Sequence, residues 1–119
     1  MADDHPIVLQ ALKKTLQEEF PDVYIEDAAD ATALFEKVSQ QQWDLVITDL
    51  AMPGGGGLIA LRKIKQLKKS LPVLIISTYP ADQYRASAIK AGAEDYISKD
   101  SFPTGLITAI RRILEKKKK

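Results

Sequence analysis

The sequence predicts an α/β fold in which helices cover both faces of a parallel sheet. Short apolar segments rich in β-branched residues alternate along the chain with longer segments of helical periodicity. The apolar segments in the middle of the chain have no polar face, which is typical of strands that are buried on both sides. Because strands that alternate with helices pair in parallel through right-handed crossovers, the sequence predicts a three-layer sandwich.

Four segments are predicted to be strands and five to be helices. The predicted strands are Val23–Ala28, Leu45–Thr48, Val73–Ile76 and Tyr96–Ser98. The helices are predicted from apolar residues spaced along one helical face. These residues are Leu9, Leu12 and Leu16; Ala31, Leu34, Phe35 and Val38; Leu58, Leu61 and Ile64; Ala88, Ile89 and Ala91; and Leu106, Ile110 and Ile113. Pro21 and Pro72 follow the first and third helices, and Gly92 is placed to end the fourth in a left-handed conformation.

Length and composition indicate a single domain spanning residues 1–119. The 45% hydrophobic and 28% charged residues are ordinary for a globular protein, and 119 residues suffice for one core but not two. The formal net charge of +1 gives no general electrostatic reason to bind nucleic acid or a membrane. We expect Lys116–Lys119 to be a solvated helix end rather than a binding patch.

The expected location is the cytoplasm. The chain has no cysteine, which excludes disulfides and thiolate metal sites and fits a reducing compartment. No apolar run approaches the roughly 20 residues of a membrane-spanning helix, and the first residues lack the features of a signal peptide.

Polar residues with complementary chemistry stand at the ends of the predicted strands. Asp3 and Asp4 precede the first helix, and Asp49, Ser77 and Lys99 each follow an apolar strand. Ligands of open α/β sheets bind at the carboxyl ends of the strands, so we expect these groups to converge. Three carboxylates would repel one another, and a hard cation such as Mg²⁺ relieves the repulsion. The hydroxyl and ammonium can hold phosphoryl oxygens while Asp49 acts as the nucleophile.

Each of these residues alone is a weak signal. An acidic pair before a helix is more often a cap, a serine after a strand is usually a turn residue, and a lysine there usually faces solvent. Asp49 carries more information, because an acid at the end of a buried strand is costly to desolvate. The combination in one order along the chain favours a phosphoryl-transfer site.

The segments Ala2–Pro6 and Asp44–Gly54, followed by Ser77 and by Lys99-Asp100, resemble the receiver family of bacterial two-component response regulators. The order and spacing match along essentially the whole chain. Asp-Asp-His-Pro near the start, Ser-Thr-Tyr from Ser77 and Lys-Asp-Ser from Lys99 are most similar to the branch with LuxR-type helix-turn-helix output domains.

The resemblance implies a fold and a metal site. The fold is a flavodoxin-like, doubly wound (βα)5 receiver whose parallel sheet has the strand order 2-1-3-4-5. Asp49 would be the phosphoacceptor. Asp4, Asp49 and the backbone carbonyl of Ala51 would bind Mg²⁺, and Asp3 would assist through water.

The resemblance also implies a switch and a set of partners. Ser77 and Lys99 would contact the phosphoryl oxygens, and Ser77 would be the switch hydroxyl with Tyr96 as its aromatic partner. A half-buried aromatic of the strand explains Tyr96 equally well. The phosphodonor would be a sensor histidine kinase, and DNA would be bound only through an output domain outside these 119 residues. A homodimer is left open, and the domain would modify itself rather than act as a turnover enzyme.

The start of the chain departs from the family pattern. The first strand of the family should precede Asp3, but only Met1 and Ala2 do so. A missing central strand would leave unpaired backbone groups that cost on the order of 1 kcal/mol or more each. A shortened chain, a strand donated by another chain, or residues omitted before Met1 would each explain it. If the strand is absent, we expect Asp3 and Asp4 to be loosely tethered and Mg²⁺ to bind weakly.

Two other classes of function compete with phosphorylation. A pseudo-receiver would signal by binding alone, and the set of Asp4, Asp49, Ser77 and Lys99 argues against it. An enzyme, either an FMN-binding flavodoxin or an aspartyl-phosphate phosphohydrolase, is less favoured. The acidic pair would repel the flavin phosphate, and such hydrolases usually have a second acid where this chain has Ala51.

Overall fold

The structure, a computed structural model, describes residues 1–3, 6–51, 56–79 and 81–118. In chain order its elements are α1 (Pro6–Glu19), α2 (Ala31–Gln40), β1 (Val46–Asp49), α3 (Gly56–Leu67), β2 (Val73–Ser77), α4 (Ala81–Lys90), β3 (Asp95–Ser98), a 3₁₀ turn (Lys99–Ser101) and α5 (Thr104–Lys118). The five predicted helices are confirmed, and three of the four predicted strands form within one residue of their predicted ends. None of the described helices is long and apolar enough to cross a membrane.

The three strands form a parallel sheet in the order β1-β2-β3. Asp49 pairs in register with Ile76, and Ser77 pairs with Ser98. The carboxyl ends of the three strands therefore lie along one edge of the sheet. This register brings the residues that end or follow the strands to the same side of the molecule, as the parallel topology predicts.

The prediction of a strand at Val23–Ala28 is wrong for the described structure. Only Ala28 of this segment takes part in pairing, through an isolated parallel bridge to Ala2, and Ala2 forms a second parallel bridge to Thr48. A strand requires a neighbour along its length, and among the described residues this segment bonds to Met1–Asp3 only at Glu26 and Ala28. The high β-propensity of Val23–Ala28 is therefore not enough to make it a regular strand.

Apolar side chains on the two faces of the sheet form separate core clusters. Alternate residues of β2 point to opposite faces, as the pleat requires. Val73 and Ile75 pack with apolar residues of α2, α3 and α4, whereas Leu74 and Ile76 pack with those of α1 and α5. The helices thus lie in two layers with the sheet between them, and the predicted three-layer α/β architecture is confirmed.

Gly92 ends α4 with a φ of +114°, in the region that the sequence predicted for it. The next residue, Ala93, donates its backbone amide to the carbonyl of Ala88 at 3.0 Å. This bond closes the last turn of α4 and directs the chain into β3. A side chain at position 92 would be strained, because residues with a Cβ rarely adopt this conformation.

Asp95, at the start of β3, joins two helices to the sheet. Its side chain is almost fully buried and forms ion pairs with Arg85 of α4, at 2.6 Å, and with Arg112 of α5. Burial alone would raise the pKa of this carboxyl. Hydrogen bonds from the Tyr96 backbone amide and from the two guanidinium groups outweigh burial, so the pKa lies below its usual value.

We predict that Asp95→Asn lowers the free energy of unfolding by about 1–2 kcal/mol at pH 7, a figure that allows for the solvent-exposed positions of both arginines. A carboxylate with a depressed pKa contributes stability above its unfolded pKa of about 4, and that stability is lost as the pH falls through the lower, folded value. The difference in free energy of unfolding between wild type and variant should therefore be largest at pH 7 and shrink below about pH 4. Urea unfolding curves measure it.

Glu94→Gln is the matched control, because Glu94 is the exposed neighbour of Asp95. Its unfolding curves at pH 7 and at pH 3.5 should match those of the wild type. A destabilisation by Asp95→Asn that is the same at pH 7 and pH 3.5 would show that packing, and not charge, is lost.

Candidate functional site

Asp49 lies at the carboxyl end of β1 with 4% of its surface exposed. Its backbone amide donates to the carbonyl of Ala2 at 2.8 Å, which fixes the end of β1 against residues 1–3. The backbone amide of Ala51 lies 3.4 Å from its Oδ1 atom. A buried acid in this position needs compensating charge nearby, since an isolated carboxylate is expensive to desolvate.

Asp3 is fully buried beside it, in contrast to the loose tethering that we expected. Its backbone amide donates to the carbonyl of Ala28 at 3.2 Å, and the preceding residue, Ala2, donates to the carbonyl of Ile47 at 2.8 Å. Residues 1–3 thus lie between Ala28 and β1, held by a few backbone bonds. These bonds are enough to hold Asp3 against the end of β1.

Lys99 joins the two carboxylates. Its Nζ atom lies 2.9 Å from Oδ2 of Asp3 and 3.1 Å from Oδ2 of Asp49. The side chain of Lys99 is 14% exposed, so most of its length runs through the protein before the ammonium reaches the pair. Asp3, Asp49 and Lys99, which the sequence predicted to converge, do so.

Burial and like charge set the proton affinities of this cluster. Burial, followed by the charge of Asp3, raises the pKa of Asp49, while Lys99 and the Ala51 amide act in the opposite direction. Burial disfavours the ammonium of Lys99, but its bonds and charge interactions with Asp3 and Asp49 outweigh burial and raise the pKa of Lys99. The cluster therefore favours the charged form of Lys99, and a further positive charge near Asp49 would favour its ionised form.

Ser77 ends β2 and is buried. Its hydroxyl takes part in a group of hydrogen bonds that is separate from those of Lys99. Its Oγ accepts a hydrogen bond from the backbone amide of Tyr79 at 2.9 Å, and the hydroxyl of Tyr96 donates to the carbonyl of Tyr79 at 2.9 Å. Burial raises the pKa of Tyr96, and a hydrogen bond from Ser77 acts against the rise. Among the described residues, no hydrogen bond joins Ser77 to Asp49.

Tyr96 is 2% exposed and therefore more deeply buried than the half-buried strand position that we considered. Its ring packs in the core cluster on the α2–α4 face, while its hydroxyl reaches the turn after β2. The side chain thus connects β3 to the segment that follows Ser77. Its role as a switch stays a prediction.

The donors present fit Mg²⁺. Two buried carboxylates meet at one edge of the sheet, and hard oxygen ligands of this kind suit that ion. Within residues 1–3, 6–51, 56–79 and 81–118, no group of three or more acidic or histidine side chains forms a metal cluster. The predicted ligand Asp4 lies outside the described residues, and the role of the Ala51 carbonyl stays a prediction.

Gly57 allows α3 to begin directly against the end of β1. A Cβ atom at this position would lie 2.1 Å from the carbonyl oxygen of Asp49 and 2.9 Å from the Cα of Leu50. The Gly57 amide also donates to the carbonyl of Leu50 at 2.7 Å. The backbone that carries the Asp49 side chain is therefore packed against glycine, a close approach between two segments that residue type alone does not predict.

Tyr79 and Asp95 were also missed by the sequence analysis. Tyr79 links Ser77 to Tyr96 through its backbone, and backbone hydrogen bonds leave no signal in residue type. Asp95 could have been found by the argument that selected Asp49, since it is an acid next to a buried apolar strand.

The chain was compared with known families and structures. The sequence profile of the response regulator receiver domain matches residues 1–111. The oxygen regulatory protein NreC of Staphylococcus carnosus is 34% identical over 114 residues, which cover 95% of this chain and 52% of NreC. This chain thus spans about half the length of that relative.

Two solved structures support the same assignment. A LuxR-family two-component response regulator from Aurantimonas sp. SI85-9A1 superposes with a TM-score of 0.91 at 32% identity, covering 97% of this chain and 82% of that one. The response regulator TrrA of Thermotoga maritima, solved in complex with Mg²⁺-BeF, has a TM-score of 0.85 at 30% identity, covering 95% of each chain.

The comparisons identify the family of this chain, whose members are signalling domains. The chain belongs to the response regulator receiver domain family and is a receiver domain of a two-component response regulator. Its similarity to NreC and to the LuxR-family regulator agrees with the branch that the sequence motifs indicated.

We predict that Gly57→Ala destabilises the protein by about 1–3 kcal/mol, because the added methyl overlaps the backbone of Asp49 and Leu50. Helix propensity alone would give the opposite sign, since alanine stabilises helix interiors by roughly 0.5–1 kcal/mol over glycine. Urea unfolding measures the difference. Ile59→Ala, at an exposed position of the same helix, is the control and should change stability little. If Gly57→Ala is more stable than the wild type, the close packing at this position is contradicted.

Proposed function

We propose that this receiver takes a phosphoryl group onto Asp49 and uses it to switch an output. The observation that supports this most directly is the cluster in which Lys99 bridges the buried carboxylates of Asp3 and Asp49 at 2.9 and 3.1 Å. Two acids and one ammonium at the ligand-binding edge of the sheet are the groups that phosphoryl transfer to a carboxylate requires.

In the proposed reaction a carboxylate oxygen of Asp49 attacks phosphorus in line with the leaving group. The new P–O bond forms as the bond between phosphorus and the donor breaks, and the donor leaves with that electron pair. When the donor is a phosphohistidine, the imidazole nitrogen then takes up a proton. Lys99 lowers the pKa of Asp49 against the effects of burial and Asp3, and it is placed to hold a phosphoryl oxygen after the reaction.

Mg²⁺ is proposed to be held by Asp49, with Asp4 and the Ala51 carbonyl as further ligands and with Asp3 acting through water. When bound, the ion supplies the positive charge that draws the phosphoryl oxygens to the site and neutralises them. The receiver family binds Mg²⁺, and the TrrA structure contains it together with BeF. Burial and the charge of Asp3 raise the pKa of Asp49, which further supports a cation at this position.

Ser77 and Tyr96 are proposed to transmit the new charge. Phosphorylation adds nearly two negative charges and several acceptor oxygens next to the end of β2. If Ser77 turns its hydroxyl towards the phosphoryl group, it gives up its bond to the Tyr79 amide and its contact with Tyr96. The turn before α4 and the Tyr96 ring would then have to repack together.

The wider setting is proposed from the family. A sensor histidine kinase would donate the phosphoryl group in the cytoplasm, and an output domain beyond residues 1–119 would bind DNA. The sheet order 2-1-3-4-5 is supported by the bridges of Ala2 to Ala28 and to Thr48, which set residues 1–3 between the two neighbouring segments. A homodimer stays a prediction.

Incubation with acetyl phosphate and Mg²⁺ tests the phosphoacceptor. We expect the intact mass of the wild type to rise by one phosphoryl group, and the mass of Asp49→Asn to stay unchanged. Omitting Mg²⁺ should abolish the adduct on the wild type.

Asp44→Asn is the matched control, because it removes an exposed acid near the amino end of β1 and should be phosphorylated like the wild type. An adduct on Asp49→Asn would identify another acceptor. A folded wild type without any adduct would favour the pseudo-receiver, which signals by binding alone.

Asp3→Asn should weaken Mg²⁺ binding roughly tenfold, because a group that acts on the ion through water typically contributes a factor of this size or larger. Isothermal titration calorimetry measures the affinity. Asp100→Asn, which removes an exposed acid next to Lys99, should bind Mg²⁺ as the wild type does. Equal affinities for all three proteins would exclude a role for Asp3.

A further inference from the structure

The helix α3 and the turn that follows it are strongly basic. Residues 50–81 contain five lysine or arginine residues and no aspartate or glutamate, whereas the formal net charge of the whole chain is only +1. All five basic residues lie in α3 or within two residues of its end. Positive charge is therefore concentrated on one element of a chain that is almost neutral as a whole.

α3 buries one side against the core and exposes the other. Its exposed residues are Ile59, Arg62, Lys63, Gln66 and Leu67. Successive residues of a helix are rotated by about 100°, so these positions cover one continuous arc of roughly 140°. The helix thus presents a single outer face, which combines basic, amide and apolar side chains.

The two apolar residues of this face lie near its ends. Ile59 is 44% exposed and Leu67 is 50% exposed. They are eight positions apart, or about 12 Å along the helix axis, and Arg62 and Lys63 lie between them. An isolated apolar side chain on a surface is normal, but here two of them flank a pair of cations on one helix face. A partner that contacts the whole face must be apolar at both ends and acidic in between.

Two of the five basic residues have a role in the fold. The Nζ atom of Lys65 donates to the carbonyl of Leu71 at 2.9 Å, and that of Lys68 donates to the carbonyl of Gln41 at 2.6 Å. These bonds close the turn after α3 and tie it to the end of α2. The backbone carbonyls that they satisfy therefore explain these two lysines.

The fold does not use the other three basic residues. Arg62, Lys63 and Lys69 are exposed. Within the part of the chain that the structure describes, their side chains form no hydrogen bond or ion pair. By contrast, the other three arginines of the chain each pair with a carboxylate. These three cations can therefore bind a partner without breaking a contact within the domain.

The basic surface continues onto the end of α4. Lys90 lies in the last turn of α4 and is exposed. Two residues further on, Gly92 packs against Lys65, since a Cβ atom at Gly92 would lie 3.1 Å from the Cγ atom of that lysine. The ends of α3 and α4 are thus neighbours, and Lys90 adds to the positive potential beside α3.

A helix is the element that suits an elongated face of this kind. Helices pack side by side with their axes about 8–10 Å apart. Apolar residues seven or eight positions apart on a partner helix would cover Ile59 and Leu67, and carboxylates between them would reach Arg62 and Lys63. A nucleic-acid backbone would neutralise the cations but would not cover the two apolar side chains.

We propose that the outer face of α3 is a docking surface for an acidic amphipathic helix of another protein. Apolar residues of that helix pack on Ile59 and Leu67, and its carboxylates pair with Arg62 and Lys63. This is recognition of an amphipathic helix with charge complementarity. The surface does not include Asp49, so it does not depend on the function proposed for that residue.

A labelled peptide tests the surface on the whole chain. The probe is Glu-Glu-Leu-Ala-Glu-Glu-Ala-Glu-Ala-Leu-Leu-Glu-Glu-amide with a rhodamine label at its amino end, and its fluorescence anisotropy reports binding. We expect saturable binding that weakens when NaCl is raised from about 0.05 M to about 0.5 M, because salt screens exposed charges. Absence of saturable binding at millimolar concentration would overturn the proposal.

A second peptide separates the apolar contacts from general charge attraction. It has glutamine in place of the three leucines and therefore keeps every charge of the probe. It should bind roughly tenfold or more weakly, because it cannot bury apolar side chains on Ile59 and Leu67. Equal binding of the two peptides would refute recognition of an amphipathic helix.

Paired charge variants locate the site. Arg62→Gln combined with Lys63→Gln should weaken binding roughly tenfold or more. Lys14→Gln combined with Lys116→Gln removes the same charge from exposed positions of α1 and α5 and should bind as the wild type does. If the two double variants bind equally, the probe does not dock on α3 and the proposal is wrong.

A matched pair of isoleucine variants tests the apolar contact. Ile59→Ala should weaken binding about threefold or more, whereas Ile7→Ala, which removes an isoleucine that is 82% exposed on α1, should not. Both positions are exposed, so circular dichroism should show the wild-type fold for each variant. Equal binding of the two would contradict the apolar contact at Ile59.

Two further outcomes would assign the face to a different partner. If a DNA duplex of about 20 base pairs binds the wild type but not the Arg62→Gln, Lys63→Gln variant, while the probe peptide does not bind, the face recognises nucleic acid. If light scattering shows a dimer that this variant does not form, the occupant is a second copy of this chain. Either result would overturn docking of an acidic helix from another protein.

Discussion

The structure depends on one electrostatic constraint, which is that two buried carboxylates must share a single ammonium. Asp3 and Asp49 have almost no exposed surface, so their mutual repulsion is poorly screened by water. Lys99 lies within 3.1 Å of both. Removing Lys99 would leave two buried carboxylates without its compensating charge, which is among the costliest changes that a folded protein can undergo.

The two carboxylates and the ammonium can meet only if the segments that carry them are paired correctly in the sheet. The three residues are 46 or more positions apart in the chain, and they meet only because residues 1–3 and β1 pair in parallel and β3 lies in the same sheet. Gly57 contributes by letting α3 approach the backbone of Asp49 more closely than any other residue would permit. The position of the nucleophile is therefore a consequence of backbone packing as much as of its own side chain.

β3 and the residue that follows it make several of the ion pairs and hydrogen bonds between the site and the helices. Asp95 holds α4 and α5 through two arginines, Tyr96 reaches the turn after β2 through its hydroxyl, and Lys99 follows the strand to contact both acids. These three residues lie within five positions of one another. A change in charge at Asp49 thus acts on the element that also carries the contacts to α4 and α5.

Most of the secondary structure could be predicted because its signals are local. Apolar residues at helical spacing identified the five helices, and apolar runs buried on both faces identified β1, β2 and β3. The segment Val23–Ala28 has the composition of a strand, but among the described residues only its last member, Ala28, forms a bridge to a neighbouring segment. Composition reports the preference of a segment for the sheet, whereas pairing depends on what lies beside it.

The sequence by itself determined the fold class, the family and the convergence of Asp3, Asp49 and Lys99, because residue type and order at strand ends are enough to infer a shared edge. Only the tertiary structure decided that Lys99 bridges both acids, that Tyr96 is buried and bonded to the Tyr79 carbonyl, and that Gly57 underlies Asp49. The physical reason is that these features are distances between segments remote in the chain, and such distances are set by the packing of the whole domain.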